Sequence, residues 1–455
     1  MTRPPPPPPA LAPLAGPLAL ELLLGIGVGV VGTMLAARIS DPAAAGLALG
    51  LHVNAMLFIL FRIVAMGASV AVTQSLGAGQ RDAAAAIARA SLGASTWMGL
   101  GCAAVAALGA GTLLSLLRAP PEVLPLATPF LMALAPALLL DAWSASASAV
   151  LRAHLQARAV LRVIVVTHSL HLLFAAALMQ GWGPLPALGL PGFAVGLLLA
   201  RAVGLVLYAQ LWRRALGLVL RLDDLWRWRS GPMAAVLHVG LPGAAENIAY
   251  RLAFMVSVAV VSAQGTTALA THAYTSQINY FGLVFGLAVG FAAEILVGHL
   301  VGAGRLAEAD RLVRRTLARA LAFSVGVTVL LALAGPWLLR QFTQDAAIVA
   351  LGVTLLWWTV VLEPGRTFNL VVINALRAAG DVRYPVMAGA ASMLLVLAGG
   401  SWLLGQVMGL GLVGVWLAYA ADEWVRGLLM WRRWTQRRWL PHARAVRRRL
   451  RAAAA

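Results

Sequence analysis

Apolar runs of about 20 residues or more recur along nearly the whole chain, each long enough as a helix to cross roughly 30 Å of hydrocarbon. Nothing else in the sequence limits the fold as strongly. A backbone in lipid must satisfy its own polar groups, so only helices and closed barrels span membranes. A barrel would show alternating segments of about ten residues, whereas here leucine, alanine, valine and glycine run continuously. The expected fold class is an all-α polytopic membrane protein. Composition agrees: 61% of the 455 residues are apolar and 11% charged, against about 25% charged in soluble domains. An ordinary soluble enzyme is excluded.

The 35 basic residues are all arginine, against 16 acids. In a soluble chain that excess would suggest nucleic acid, but here the arginines lie mostly between apolar runs and at the C-terminus, where they act as topology signals. No nucleic-acid partner is expected. Cys102 stands alone in an apolar run and reads as a packing residue. Residues 1-13, with six consecutive prolines, read as a disordered Pro-rich tail without a signal peptide.

Arginine clusters and Gly/Pro-rich breaks divide the rest into twelve candidate spans, near 14-37, 48-76, 88-115, 124-150, 158-180, 190-213, 234-262, 270-301, 314-339, 347-375, 383-405 and 409-434. They form an N-terminal six-helix bundle (14-213), a linker (214-233), a C-terminal six-helix bundle (234-434) and a basic tail (435-455). With the N-terminus inside, the outer loops hold only Arg38, Arg118 and Arg340. Both termini, the linker and the tail are therefore expected in the cytoplasm, with the tail drawn to anionic lipids.

One constant shift along the chain superposes the two halves without a gap across five spans. It places Pro17 on Pro242, Glu21 on Glu246, Asn54 on Asn279, Gly77-Ala78-Gly79 on Gly302-Ala303-Gly304, and Leu151-Arg152-Ala153 on Leu376-Arg377-Ala378. Equal helix counts in one orientation make this a parallel repeat, an arrangement in which transporter sites lie at the repeat interface.

Several stretches then look familiar: Met66 to Gly79, its copy Val289 to Gly304, Gly240-Leu-Pro-Gly-Ala-Ala-Glu246 and Ala375-Leu-Arg-Ala-Ala-Gly-Asp381. Together they resemble the multidrug and toxic compound extrusion (MATE) family, over nearly the whole chain. The resemblance implies a pair of six-helix bundles that exports organic, often cationic, compounds in exchange for protons or sodium ions. Three ion-coupling positions depart from well-known multidrug members: Gly32 stands for an aspartate, Tyr250 for a glutamate one turn deeper than Glu246, and Arg366 for an acid. The family's sodium site is not carried over.

Ionisable residues at membrane depth are default functional candidates. Glu21 and Glu246 each follow a proline by four positions at matching depths and are expected to couple an ion or proton. The alternative is a carboxylate at a helix start satisfied by backbone and loop arginines. Glu363 and Arg366, at i,i+3 around Pro364-Gly365, read as a helix-internal pair or a switch. Asp141, the repeat counterpart of Arg366, is a further coupling candidate with Arg62 or Arg201 as partner. Asp422, Glu423 and Arg426 read as a local structural set, and Glu294 as interfacial. Arg251 is a partner for Glu246 or a cavity residue.

The substrate cavity is expected to involve Asn54, Asn279, Tyr250, Arg251 and Arg366, with Tyr274, Tyr280 and Phe281 as weaker aromatic candidates. His168 and His171 lack the surrounding ligands of a metal site, and neither metal nor cofactor is expected. No Walker motif, zinc-helix motif or nucleophile elbow appears, so the chain is not read as an enzyme. The expected function is a secondary active antiporter of the bacterial inner membrane. It would act as a monomer on small organic substrates, with proton or sodium as the coupling ion and membrane lipid as its surroundings. The alternatives are a lipid-linked saccharide flippase and a non-transporting receptor or scaffold.

Overall fold

The computed structural model describes residues 10–452. The expected tail therefore falls mostly outside the described residues, but its end does not: the first helix already begins at Ala12. The membrane helices are α1 (Ala12–Ala37), α2 (Asp41–Gly77), α3 (Arg81–Leu108), α4 (Leu124–Ala153), α5 (Ala157–Gln180), α6 (Leu190–Leu211), α7 (Ser230–Ser262), α8 (Thr266–Ala303), α9 (Leu306–Leu333), α10 (Ala346–Ala378), α11 (Arg383–Val407) and α12 (Gly411–Thr435). A final helix, α13, runs over Leu440–Ala452. The protein is an all-α polytopic membrane protein of twelve transmembrane helices in two parallel-repeat six-helix bundles. Eleven of these helices are apolar enough to be recognised on hydropathy. The twelfth, α12, is dense in charge, with Asp422, Glu423 and Arg426 buried midway along it and Arg432 and Arg433 in its last turn.

Several helices are longer than the apolar runs that announce them: α2 starts at Asp41 rather than 48, and α9 at Leu306 rather than 314. Their first turns carry Asp41 and Glu308, acids that suit a helix N-terminus and not hydrocarbon.

The chain packs as two compact units, one from Leu20–Val72 and Arg81–Gly240, the other chiefly from Leu241 onward with Thr73–Gln80. In the first, Phe130, Leu131, Leu134, Leu138 and Phe193 fill the core. There α6 lies almost backbone to backbone on α5, because a side chain at Gly192 would meet Leu178 at 2.7 Å and one at Gly196 would meet Ala175 at 2.7 Å. This is close small-residue packing, which replaces the hydrophobic effect inside lipid. The linker is not loose. Its short helix Leu222–Trp226 docks on α3, where Trp97 Nε1 donates to the Trp226 carbonyl at 3.2 Å, and buried Asp224 takes Arg229 at 2.6 Å and Arg89 at 3.7 Å.

In the second unit, the end of α2 crosses the end of α8 with the repeat's own symmetry. A side chain at Gly77 would strike the His299 carbonyl, and one at Gly302 the Gln74 carbonyl, and Gln74 and His299 are themselves repeat counterparts, just as Gly77 and Gly302 are. The basic tail is helical over α13 and lies on this crossing. Gln80 Nε2 donates to the Leu450 carbonyl at 2.5 Å, and the Arg447 guanidinium covers Gly304, the left-handed cap of α8, where a cation suits the helix C-terminus.

Candidate functional site

One ion pair occurs in both repeats. Glu21 on α1 receives Arg152 Nη1 of α4 at 2.8 and 2.9 Å, while Arg152 Nη2 donates to Ser148 Oγ at 2.9 Å. Glu246 on α7 is bound by Arg377 Nη2 of α10, whose Nη1 donates to Asn374 Oδ1 at 3.3 Å. The two acids are repeat counterparts, as are the two arginines, and each acid follows the proline that opens its repeat. Glu246 is the drier copy, its side chain 10% exposed against 24% for Glu21. The expectation that Arg251 partners Glu246 is corrected. Five residues turn an α-helix by about 500°, so the two point to different faces. Arg251 is exposed and Arg377 takes its place. The sequence shift had already aligned Arg152 with Arg377, and that alignment was the available signal for the missed partners.

Around the second candidate, Glu363, the structure joins what the sequence treats as separate sets. Arg366 Nη1 meets Glu363 at 2.5 Å and its Nε meets Glu423 at 3.1 Å. Arg426 meets Glu423 at 2.8 Å and Asp422 at 2.7 Å. Asn279 Nδ2 donates to Glu363 at 2.8 Å, Asn369 Nδ2 to Glu423 at 3.0 Å and Ser392 Oγ to Asp422 at 2.7 Å. Three carboxylates thus share two arginines across α8, α10, α11 and α12. The local reading of Asp422, Glu423 and Arg426 is corrected: Glu423 bridges to α10. Pro364 cannot donate a backbone bond, and just beside it Trp424 Nε1 donates to the Val361 carbonyl at 2.9 Å.

At the matching place in the first repeat there is one pair. Asp141 on α4 meets Arg201 of α6 at 2.5 Å, which selects Arg201 over Arg62. The counterpart of Glu363 is Leu138, so Asn54 has no carboxylate to bond, and its Oδ1 is buried without a hydrogen-bond partner.

The remaining candidates lie apart. Tyr250 stacks on Phe254 at 6.0 Å, under the Arg426 guanidinium at 6.0 Å. Tyr274 stacks on Phe342 at 5.3 Å, while Tyr280 and Phe281 are exposed. Glu294, expected near the cytoplasmic interface, is buried among protein side chains on α8. His171 Nε2 bonds the Phe193 carbonyl at 3.3 Å. At Gly32 a Cβ would lie 2.6 Å from the Phe193 ring, so that position has no room for a carboxylate. Among the described residues no cluster of three or more His, Cys, Asp or Glu is placed to hold a metal.

Twelve membrane helices in two repeats, with Glu–Arg pairs at corresponding positions, are the architecture of a membrane transporter built by duplication. The MatE family model matches the chain twice, over residues 17–177 and 242–402, and the second match begins and ends at the repeat counterparts of the positions that bound the first. The chain belongs to the MatE family. It is similar to the uncharacterized transporter YisQ of Bacillus subtilis, at 29% identity over 431 residues and 95% of each chain. It is also similar to the probable multidrug resistance protein NorM of Thermotoga maritima, at 24% identity over 92% of this chain and 90% of that one. A solved MOP superfamily transporter from Pyrococcus furiosus shares the fold, with a TM-score of 0.86 at 18% identity over 95% of this chain and 96% of the other.

Proposed function

We propose that this multi-pass transporter is a secondary active antiporter of the bacterial inner membrane. It expels small organic, cationic compounds in exchange for protons or sodium ions by alternating access, as a monomer with both termini in the cytoplasm. The observation that carries this reading is the Glu–Arg pair repeated in both halves, Glu21 with Arg152 and Glu246 with Arg377. A carboxylate buried in lipid is tolerable as a pair or when neutralised. A proton or sodium ion arriving at Glu246 competes with Arg377, and the arginine it frees must find a new partner. That exchange links ion occupancy to helix arrangement. Glu363 and Asp141 extend the same chemistry, and Asn54, whose amide meets no carboxylate and whose Oδ1 is unpartnered, is a substrate-bonding residue in this reading. Arg366 and Tyr250 are engaged in the charge network and in stacking, so they act on substrate through those contacts. Asn279 does so through Glu363, and exposed Arg251 contributes charge alone.

The flippase alternative needs uncompensated arginines to hold a pyrophosphate. Of the four arginines that would serve it, Arg62, Arg201, Arg251 and Arg366, two are answered by acids, Arg201 by Asp141 and Arg366 by Glu363 with Glu423, which disfavours it. The proposal is tested by efflux of a cationic dye from vesicles holding the purified protein, with an imposed pH gradient and no sodium. Glu246→Gln is expected to abolish flux while the protein still inserts and folds, at a thermal midpoint lowered by the loss of the buried carboxylate partner of Arg377. A fully active Glu246→Gln protein refutes the coupling role. Flux that appears only with a sodium gradient assigns sodium as the coupling ion.

A further inference from the structure

The last membrane helix ends in a cavity lined by none of the residues assigned above to coupling or substrate. At 25 residues, α12 is about 37 Å long at 1.5 Å per residue, against roughly 30 Å of hydrocarbon, and its last turn, which carries Arg432 and Arg433, suits the headgroup layer rather than hydrocarbon. There Tyr384, Arg432, Arg433, Gln436 and Arg438 line a cavity of about 160 Å³. One of its cations is fixed in place: Arg433 reaches Asp381 through Nε at 2.6 Å and Nη2 at 3.2 Å, and its guanidinium lies 4.3 Å over the Tyr384 ring. The other two are uncommitted. Arg432 and Arg438 are exposed and make no ion pair among the described residues. Asp381 is engaged by Arg433 and, at 3.8 Å, by His442.

The corner that brings Arg438 to the cavity is built with effort. Arg437 has φ 56°, a left-handed conformation that a non-glycine residue adopts only when its surroundings hold it there. Just beyond, Trp439 is buried and stacks on Trp434 at 4.3 Å and 9°, which locks the corner.

We propose that this cavity is a seat for the phosphate diester of an anionic phospholipid headgroup. Guanidinium forks match phosphate oxygens and bind them with charge-assisted hydrogen bonds, and the depth of the cavity is that of lipid phosphates. A general attraction also exists, since residues 432–452 contain no acid. The seat differs from it in being localised to two residues.

The test uses the full chain in nanodiscs of phosphatidylcholine, with or without phosphatidylglycerol, reading thermal midpoint and lipid retained in native mass spectrometry. Phosphatidylglycerol should raise the midpoint and be retained by the wild type. Arg432→Gln with Arg438→Gln should lose that rise and retain roughly tenfold less, and Arg438→Lys should lose part of it. A control, Arg444→Gln with Arg449→Gln on α13, should keep most of both effects. Equal losses in the control overturn the seat in favour of diffuse surface charge. An undiminished rise in the Arg432/Arg438 variant overturns it outright. The same rise produced by inorganic phosphate in detergent assigns the cavity to free anions instead of lipid.

Discussion

The two repeats share a backbone plan but spend their charges differently. At corresponding places the first holds Asp141 and Arg201, and the second holds Arg366 and Arg426 with three acids around them. Asp141 aligns with Arg366 and Arg201 with Arg426. The positive charge on one helix is therefore kept, while on the other its sign is reversed and Glu423 is recruited from α12 to answer it. The Glu–Arg pairs near the start of each repeat are retained in both. Duplication thus separates what both copies need from what one copy has elaborated.

The largest effect expected from breaking this comparison comes from Arg366→Ala, which leaves Glu363 and Glu423 without their shared cation. Uncompensated buried charge costs about 3–5 kcal/mol, read as a fall in thermal midpoint in detergent, and adding Glu363→Gln should recover much of it. If Arg201→Ala in the first repeat costs as much, the network is no more a unit than the single pair. We expect less there, about 1–3 kcal/mol, because the Arg201 side chain is 22% exposed and water softens the loss.

Gly32→Ala comes next. It drives a methyl into Phe193, and such overpacking costs about 1–3 kcal/mol, whereas Ser257, the same position in the second repeat, already carries a hydroxyl bonded to Ser401 at 2.9 Å. Smallest is the asparagine pair. Asn279→Ala removes a donor from Glu363 and should cost about 1 kcal/mol, while Asn54→Ala should leave the midpoint within about 0.5 kcal/mol of wild type and change substrate affinity instead. An Asn54→Ala protein with unaltered dye affinity removes Asn54 from the cavity.

The helices and the repeat were legible in the sequence because lipid imposes length and apolarity on every span, and because too many motifs recur at one constant interval for chance. Helix ends were under-read wherever a charged first turn, as at Asp41 and Glu308, extends past the hydrocarbon. The charged candidates were legible singly, since each charge in an apolar run stands out. Their partners were mostly not, except within one helix, as for Glu363 with Arg366, and for Asp141, whose partner Arg201 was one of two candidates. Whether Glu246 meets Arg251 or Arg377 depends on how α7 and α10 are rotated, and the bridge through Glu423 depends on which face α12 turns to α10. The docked linker and α13 were hidden for another reason: their anchors, Asp224 and Leu450, sit in polar sequence that looks like any surface segment.

The crossing of α2 on α8 has the form of a contact across a dimer axis: position 77 of one copy meets position 299 in the other, and 302 meets 74, as i meets j and j meets i in an isologous interface. In a homodimer of half-length chains a single gene position would have served both contacts. In the fused chain two codons do so, and neither can drift from glycine alone without pushing a side chain into a carbonyl. Asp141 and Arg366 differ in sign between the copies, whereas Gly77 and Gly302 are held to one residue type by one contact made twice.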